Sequence, residues 1–456
     1  MGSTSPTADT KDVDPAVLKR AIGASAMGNA VEWFDYGIYA YGATVIARVL
    51  FPDDTEAVIW TLLAFAVSFV MRPLGGIFWG PLGDKIGRKK VLAMTIILMA
   101  GATFCVGLLP SYSSVGILAP ILLYALRMIQ GFSTGGEYGG AATFMAEYAP
   151  DNRRGFFGSF LEFGTLAGFN LGALLMVGLT TFLSDDQLIS WGWRVPFLIA
   201  GPLGLVGMYL RSKIEDTPVF REIEKQQEAV DEKVTDKFKD LLTTYLPVML
   251  RLSGLVIALN VVNYTLLSYM PTYLEGAIGL SKTGSLWVPI IGQFAMMAIL
   301  PFVGGLSDKV GRKPMWLASL IALIVLTIPM YHFMSQGFPQ AIIAFAVLGL
   351  LYTPQLATIS ATFPAMFPTH VRYAGLALGY NVATSLFGGT APAANEALIS
   401  ATGDNMWPAY YMVGACVVGL VAAFTMIETK GESLRGTELP GTDEAHAEQA
   451  ALSRAT

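Results

Sequence analysis

The sequence predicts an all-α membrane protein whose twelve transmembrane helices form two pseudo-symmetric six-helix halves. Three observations carry this prediction. Of 456 residues, 54% are hydrophobic and only 14% charged, against about 25% charged in an average soluble chain. Apolar runs long enough to cross about 30 Å of hydrocarbon follow one another almost end to end. A loop beginning at Gly80, "GPLGDKIGRKK", returns at Gly304 as "GGLSDKVGRKP", each time after the second run of its half. The runs are too long, and strand alternation too weak, for an outer-membrane barrel.

Taken in order, the apolar runs cover 21–48, 57–80, 91–110, 115–145, 156–183 and 192–211, then 245–274, 284–306, 314–334, 340–365, 371–400 and 406–427. Residues 1–20 form a polar leader without the apolar core of a cleavable signal. Bundles over 21–211 and 244–427 flank a charged central loop, 212–243. The tail, 428–456, has no heptads and reads as disordered. Lys85, Arg88, Lys89, Lys90, Arg153, Arg154, Lys309, Arg312, Lys313 and Arg372 fall at alternate loops, whereas "FPDDTEAV" and "LSDDQL" are acidic. The positive-inside rule puts the basic loops and both termini in the cytoplasm. Cys105 and Cys416 lie inside apolar runs and the three histidines are scattered. That argues against a disulfide framework or a metal site. Nothing in the composition points to nucleic acid, and the chain is expected to be monomeric.

In the repeated loop, Gly80, Gly83 and Gly87 permit tight turns and close helix approach. Asp84 can cap a helix end or pair with a base, and Arg88 and Lys89 can snorkel to the membrane surface. A second copy, with Asp308, Lys309, Gly311 and Arg312, argues for a matched pair of gating latches. Two such halves in parallel orientation are how many secondary transporters are built, with substrate held between them near the midplane.

These loops resemble the signature of the major facilitator superfamily, and the resemblance spans nearly the whole chain. "GNAVEWFDYGIY", "RPLGGIFWGPLGDKIGRKK", "QGFSTGGEYGGAATFMAEYAP", "WGWRVPF", "EDTPVF" and "FPAMFPTHVRY" resemble its metabolite:proton symporter family. The resemblance implies the superfamily fold, alternating access, a proton as coupling ion, no cofactor and a bacterial inner-membrane location. Whole-chain similarity is greatest to bacterial osmoregulatory proline/glycine betaine symporters, through "NYTLLSYMPTYL", "PAMFPTHVRYAGLA" and "MWPAYYMV". Related carriers of 2-oxoglutarate, citrate and shikimate leave an organic acid as the alternative.

Glu32, Asp35, Arg127 and Glu137 lie inside apolar spans, where charged residues face the bundle interior and pair or titrate. At 1.5 Å per residue, Arg127 reaches the depth of Glu32 and Asp35, so a salt bridge between the first and fourth spans is expected. Breaking it would change how firmly the carboxylate holds a proton. Asp35 is the first choice of proton carrier, Glu32 the second; Glu137, among glycines, is a carrier or a bridge partner. Arg72 and Glu396 fall toward span ends and are expected to snorkel. Glu32, Asp35, Tyr36 and Tyr39 share a helix face with Trp33 at its edge. Such rings can receive an ammonium by cation–π attraction while Arg127 takes a carboxylate, which suits a zwitterion. With Arg127 the one cation at mid-depth, a dianion is less well served. The second half contributes Asn260, Tyr264 and Tyr380, each also explicable by interhelical hydrogen bonding. A receptor would need a larger soluble domain, and neither a channel's polar file nor an enzyme's nucleophile set stands out.

Overall fold

The computed structural model describes residues 15–53, 56–86, 88–135, 142–143, 145–146, 149–212, 243–434 and 438–455. Every regular element among them is helical. Eight helices, the second, fifth to tenth and twelfth spans, are long and apolar enough to cross a membrane by themselves. Among the described residues the other four are broken, charged or short. The first span runs Pro15–Tyr41, steps at Gly42 and continues as Ala43–Leu50. It therefore takes in residues 15–20 of the expected leader, since proline is tolerated in a first helical turn. The third, Arg88–Val106, is apolar only from Met94. The fourth, Leu118–Thr134, contains Arg127.

The eleventh span is Thr369–Ala383, a π-helical turn Thr384–Gly388, and Ala391–Thr402. The seventh is built alike: Leu246–Asn263, a π-helical turn Tyr264–Tyr269, then Met270–Gly276. In both, a proline (Pro271 or Pro392) follows within a few residues. It removes one backbone donor, and the wider turn re-registers the helix around the loss. In the seventh span Asn260 precedes the π-helical turn and Tyr264 opens it.

Glycines set a close crossing between the first and fifth spans. A Cβ on Gly164 or Gly168 of the fifth span, Arg154–Phe182, would overlap the Ala26 and Ala30 carbonyls of the first. Small residues at such positions let membrane helices pack backbone to backbone.

The halves meet at three depths. At the end carrying the repeated loops, the Asp308 carboxylate accepts from Gly155 N at 2.8 Å and Phe156 N at 2.9 Å. In the middle, Ser385 Oγ donates to the Phe69 carbonyl at 2.6 Å and Asn381 Nδ2 to the Gly135 carbonyl at 3.1 Å. At the far end, Thr44 donates to Glu275 at 3.0 Å, Gln293 to Tyr41 at 2.6 Å, and Lys282 pairs with Asp185 at 3.2 Å. These contacts join the halves at both ends.

The tail is not the disordered segment expected. Glu428 accepts from the backbone N–H groups of Arg312 and Lys313, both at 2.9 Å, capping the ninth span, Arg312–Met334. Arg154 of the first half donates to the Glu432 carbonyl at 3.0 Å, and Arg372 of the second to the Leu434 carbonyl at 2.6 Å. Leu434 is buried with Ala146 and Ala365, one from each half. A helix, Asp443–Ala455, follows. Its acidic first turn and alanine-rich body favour a helix without any heptad repeat. The central loop lies outside the described residues.

Candidate functional site

The first span brings acid and rings to the interface between the halves, as its pattern predicts. Glu32, Trp33, Asp35, Tyr36 and Tyr39 are all buried. Trp33 lies 5.5 Å from Tyr36, 5.4 Å from Phe169 of the fifth span and 6.2 Å from Tyr264 of the seventh, between ring centroids. Phe65 and Phe69 of the second span complete the box, with Phe69 5.0 Å from Tyr264. Tyr264 is the second half's contribution, carried by the first residue of its π-helical turn.

Arg72 is the largest departure from expectation. It does not snorkel; it is 2% exposed. The second span continues as Arg72–Ile86, so Arg72 stands mid-helix and turns inward. Its guanidinium lies 4.2 Å from the Phe69 ring centroid and 5.0 Å from that of Tyr36. Its Nε and Nη2 are buried without a hydrogen-bond partner. The site thus has a second buried cation, and Arg127 is not the one cation there.

Each nitrogen of Arg127 donates to a neighbour other than Asp35. Its Nη1 donates to Gln130 Oε1 at 2.5 Å, its Nη2 to Ser68 Oγ at 3.2 Å and its Nε to the Ala64 carbonyl at 3.4 Å. Its face covers the Tyr39 ring at 4.2 Å. The expected salt bridge to Asp35 is not formed. Asp35 Oδ2 instead accepts from Thr103 of the third span at 3.0 Å, and Oδ1 has no hydrogen-bond partner. The hydroxyls of Tyr36 and Tyr39 are tied down by Thr134 at 3.3 Å and the Thr61 carbonyl at 2.8 Å.

The remaining candidates are placed as follows. Asn260 donates to Thr384 Oγ1 at 2.9 Å, joining the seventh and eleventh spans. Tyr380 is buried beside Phe363, 6.2 Å between centroids. Glu396 accepts from Tyr269 at 2.6 Å and is turned inward, against the expectation that it snorkels. Gly80 and Asp84 lie within the helix that continues the second span, Arg72–Ile86, and Arg88 begins the third. Glu137 and Gly87 lie outside the described residues. In the second repeat, Arg312 Nη2 meets Asp308 Oδ1 at 2.6 Å, and Gly311 takes φ +115° at the turn. The residues that pattern reading missed are Arg72, Thr103 and Gln130.

Residues 21–439 match the model of the sugar (and other) transporter family. The chain belongs to this family. It is 42% identical over 443 residues to the proline/betaine transporter of Escherichia coli K12, covering 95% of this chain and 88% of that protein. It is 41% identical over 453 residues to the glycine betaine/proline/ectoine/pipecolic acid transporter OusA of Dickeya dadantii, covering 97% and 89%. Among solved structures, the major facilitator superfamily proton:xylose symporter XylE superposes with a TM-score of 0.71 at 17% identity, covering 92% of this chain and 98% of that one. A partially occluded inward-open form of XylE from E. coli gives 0.69. That likeness shows the fold. As a member of this family the chain is a multi-pass membrane transporter and not an enzyme.

Proposed function

We propose that this transporter is a proton-coupled symporter that imports a small zwitterion of the proline/betaine type by alternating access. The observation that carries the reading is Arg72: two buried, unpartnered donors at the edge of an aromatic box. Burying such donors unpaired is costly, and a carboxylate would satisfy them as a fork. The guanidinium currently covers the Phe69 and Tyr36 rings. A zwitterion's carboxylate draws it aside, and the ammonium end then occupies a desolvated ring surface shared with Trp33 and Tyr264. Neither a simple cation nor a simple anion satisfies both ends. The substrates named for the 41–42% identical relatives support the same class.

In this reading Asp35, buried two residues from Trp33, carries the proton. A single hydrogen bond on one of its two oxygens suits an acid that gains and loses a proton during the cycle. The basic loops support a cytoplasmic face at the Asp308 end, both termini inside, and residence in a bacterial plasma membrane. Asp308, Gly311 and Arg312 then belong to the cytoplasmic gate, with Gly80, Asp84, Gly87 and Arg88 as its counterpart in the first half.

The second guanidinium favours one further reading, an organic-acid symporter using Arg72 and Arg127 together. Reconstitution in liposomes separates the two. Uptake of labelled glycine betaine or proline, accumulated only under an inward proton gradient, is the expected result. Uptake of 2-oxoglutarate alone overturns the zwitterion, and accumulation that ignores the gradient overturns proton coupling.

A further inference from the structure

Between Asp35 and Arg127 stand two uncharged side chains with no role in the reading above. Gln130 Oε1 accepts from Arg127 Nη1 at 2.5 Å, and Gln130 Nε2 donates to Thr103 Oγ1 at 3.0 Å. Thr103 in turn donates to Asp35 Oδ2 at 3.0 Å. The chain crosses three helices, and all four side chains are 1–2% exposed. Opposite charges in so dry a setting attract strongly. What keeps the two apart is a filled set of competing partners. The Gln130 amide offers its acceptor end to the guanidinium and its donor end to the hydroxyl. Ser68, the Ala64 carbonyl and the Tyr39 ring hold Arg127 from its other sides.

We propose that Thr103 and Gln130 are positioning residues that hold Arg127 off Asp35 and so leave Asp35 free to exchange its proton. The proposal rests on the reading that Asp35 is the proton carrier. Thr103 suits the task because its hydroxyl has a second acceptor, the Met99 carbonyl, also at 3.0 Å. It donates to Asp35 when the carboxylate is ionised. When Asp35 is protonated, the hydroxyl turns to Met99 and its oxygen accepts from the acid. Its remaining lone pair keeps the bond from Gln130 in both cases. The network is thus satisfied in either protonation state, and Arg127 need not move. Without the spacer, Arg127 can pair directly with Asp35, and a direct guanidinium partner favours the ion over the acid. The charged and titratable groups around Asp35 are Glu32, Tyr36 and Tyr39 on its own helix, Arg72 on the second span and Arg127 on the fourth.

The test is the pH dependence of uptake in liposomes. The probe is labelled glycine betaine, or proline or 2-oxoglutarate where the wild type takes that solute instead. Gln130→Ala should move the half-maximal pH to the acid side by about one unit, because transport then needs more acid to protonate Asp35. In Thr103→Val the loss of the hydroxyl's bond to the ionised carboxylate opposes that move, so the acid shift should be smaller. Thr103→Ser, which keeps the hydroxyl, should restore the wild-type profile, as a mere packing role for the methyl would not. Asp35→Asn should flatten the profile. Two substitutions on different helices keep the test available when one fails to reach the membrane. Wild-type profiles in Gln130→Ala and Thr103→Val, with a flat one in Asp35→Asn, overturn the spacer alone. A wild-type profile in Asp35→Asn overturns the proton assignment and the spacer with it.

Discussion

Asp308 of the second half caps a helix of the first: its two carboxylate oxygens take the N–H groups of Gly155 and Phe156 at 2.8 and 2.9 Å. Helix N-termini favour negative charge, so one side chain locks one end of the molecule shut. Arg312 holds that carboxylate in place at 2.6 Å.

Asp308→Asn keeps one acceptor oxygen and loses the charge. Hydrogen bonds to a charged group contribute about 1.5–3 kcal/mol, so the ratio of closed to open molecules should fall about tenfold or more. Ser360, buried beside Gly158 at this end, reports the change as Ser360→Cys in a background of Cys105→Ser and Cys416→Ser. Maleimide labelling should rise about tenfold in Asp308→Asn. An unchanged rate would remove Asp308 from the gate.

Gly155 and Gly304 meet backbone to backbone, and a Cβ on either would overlap the other's carbonyl. Gly155→Ala should therefore obstruct closure and cut uptake more than tenfold with normal membrane levels. Gly305→Ala is the internal control, because its Cβ meets only Phe156 at 3.5 Å. Equal activity in the two variants would show that this contact does not limit the cycle.

Arg72→Lys retains charge but not the two-pronged donor set. KM for the zwitterion should rise about tenfold or more, with maximal rate less affected. A wild-type KM would exclude Arg72 from substrate contact.

Trp33→Leu keeps bulk and removes the π face. Desolvated cation–π contacts contribute about 2 kcal/mol, so betaine affinity should fall by at least tenfold, and Trp33→Phe should fall less. Equal affinities in Leu and Phe variants would reduce the ring to packing.

Asp35→Asn should abolish gradient-driven accumulation while sparing exchange of labelled for unlabelled solute. Wild-type accumulation would assign the proton to another group, Glu32 first among them.

The spans were legible because an apolar run of fixed length is a one-dimensional signal. The first helix was legible because acids among rings cannot face lipid. Arg72 was misread because its depth was counted from where hydropathy falls, near residue 80, whereas the helix runs on to Ile86. Thr103 and Gln130 carry no charge, and the spacing of Gln130 three residues after Arg127 was the sole hint. The π-helical turns leave a trace only in Pro271 and Pro392. The Arg127–Asp35 bridge failed as an expectation because equal depth does not fix direction: the guanidinium turns to Gln130 and Tyr39 instead.

Arg154 and Arg372, from opposite halves, both hold carbonyls of the same short tail stretch. The stretch therefore works as a tether between the halves: parting them at this end requires one arginine or the other to let go of it.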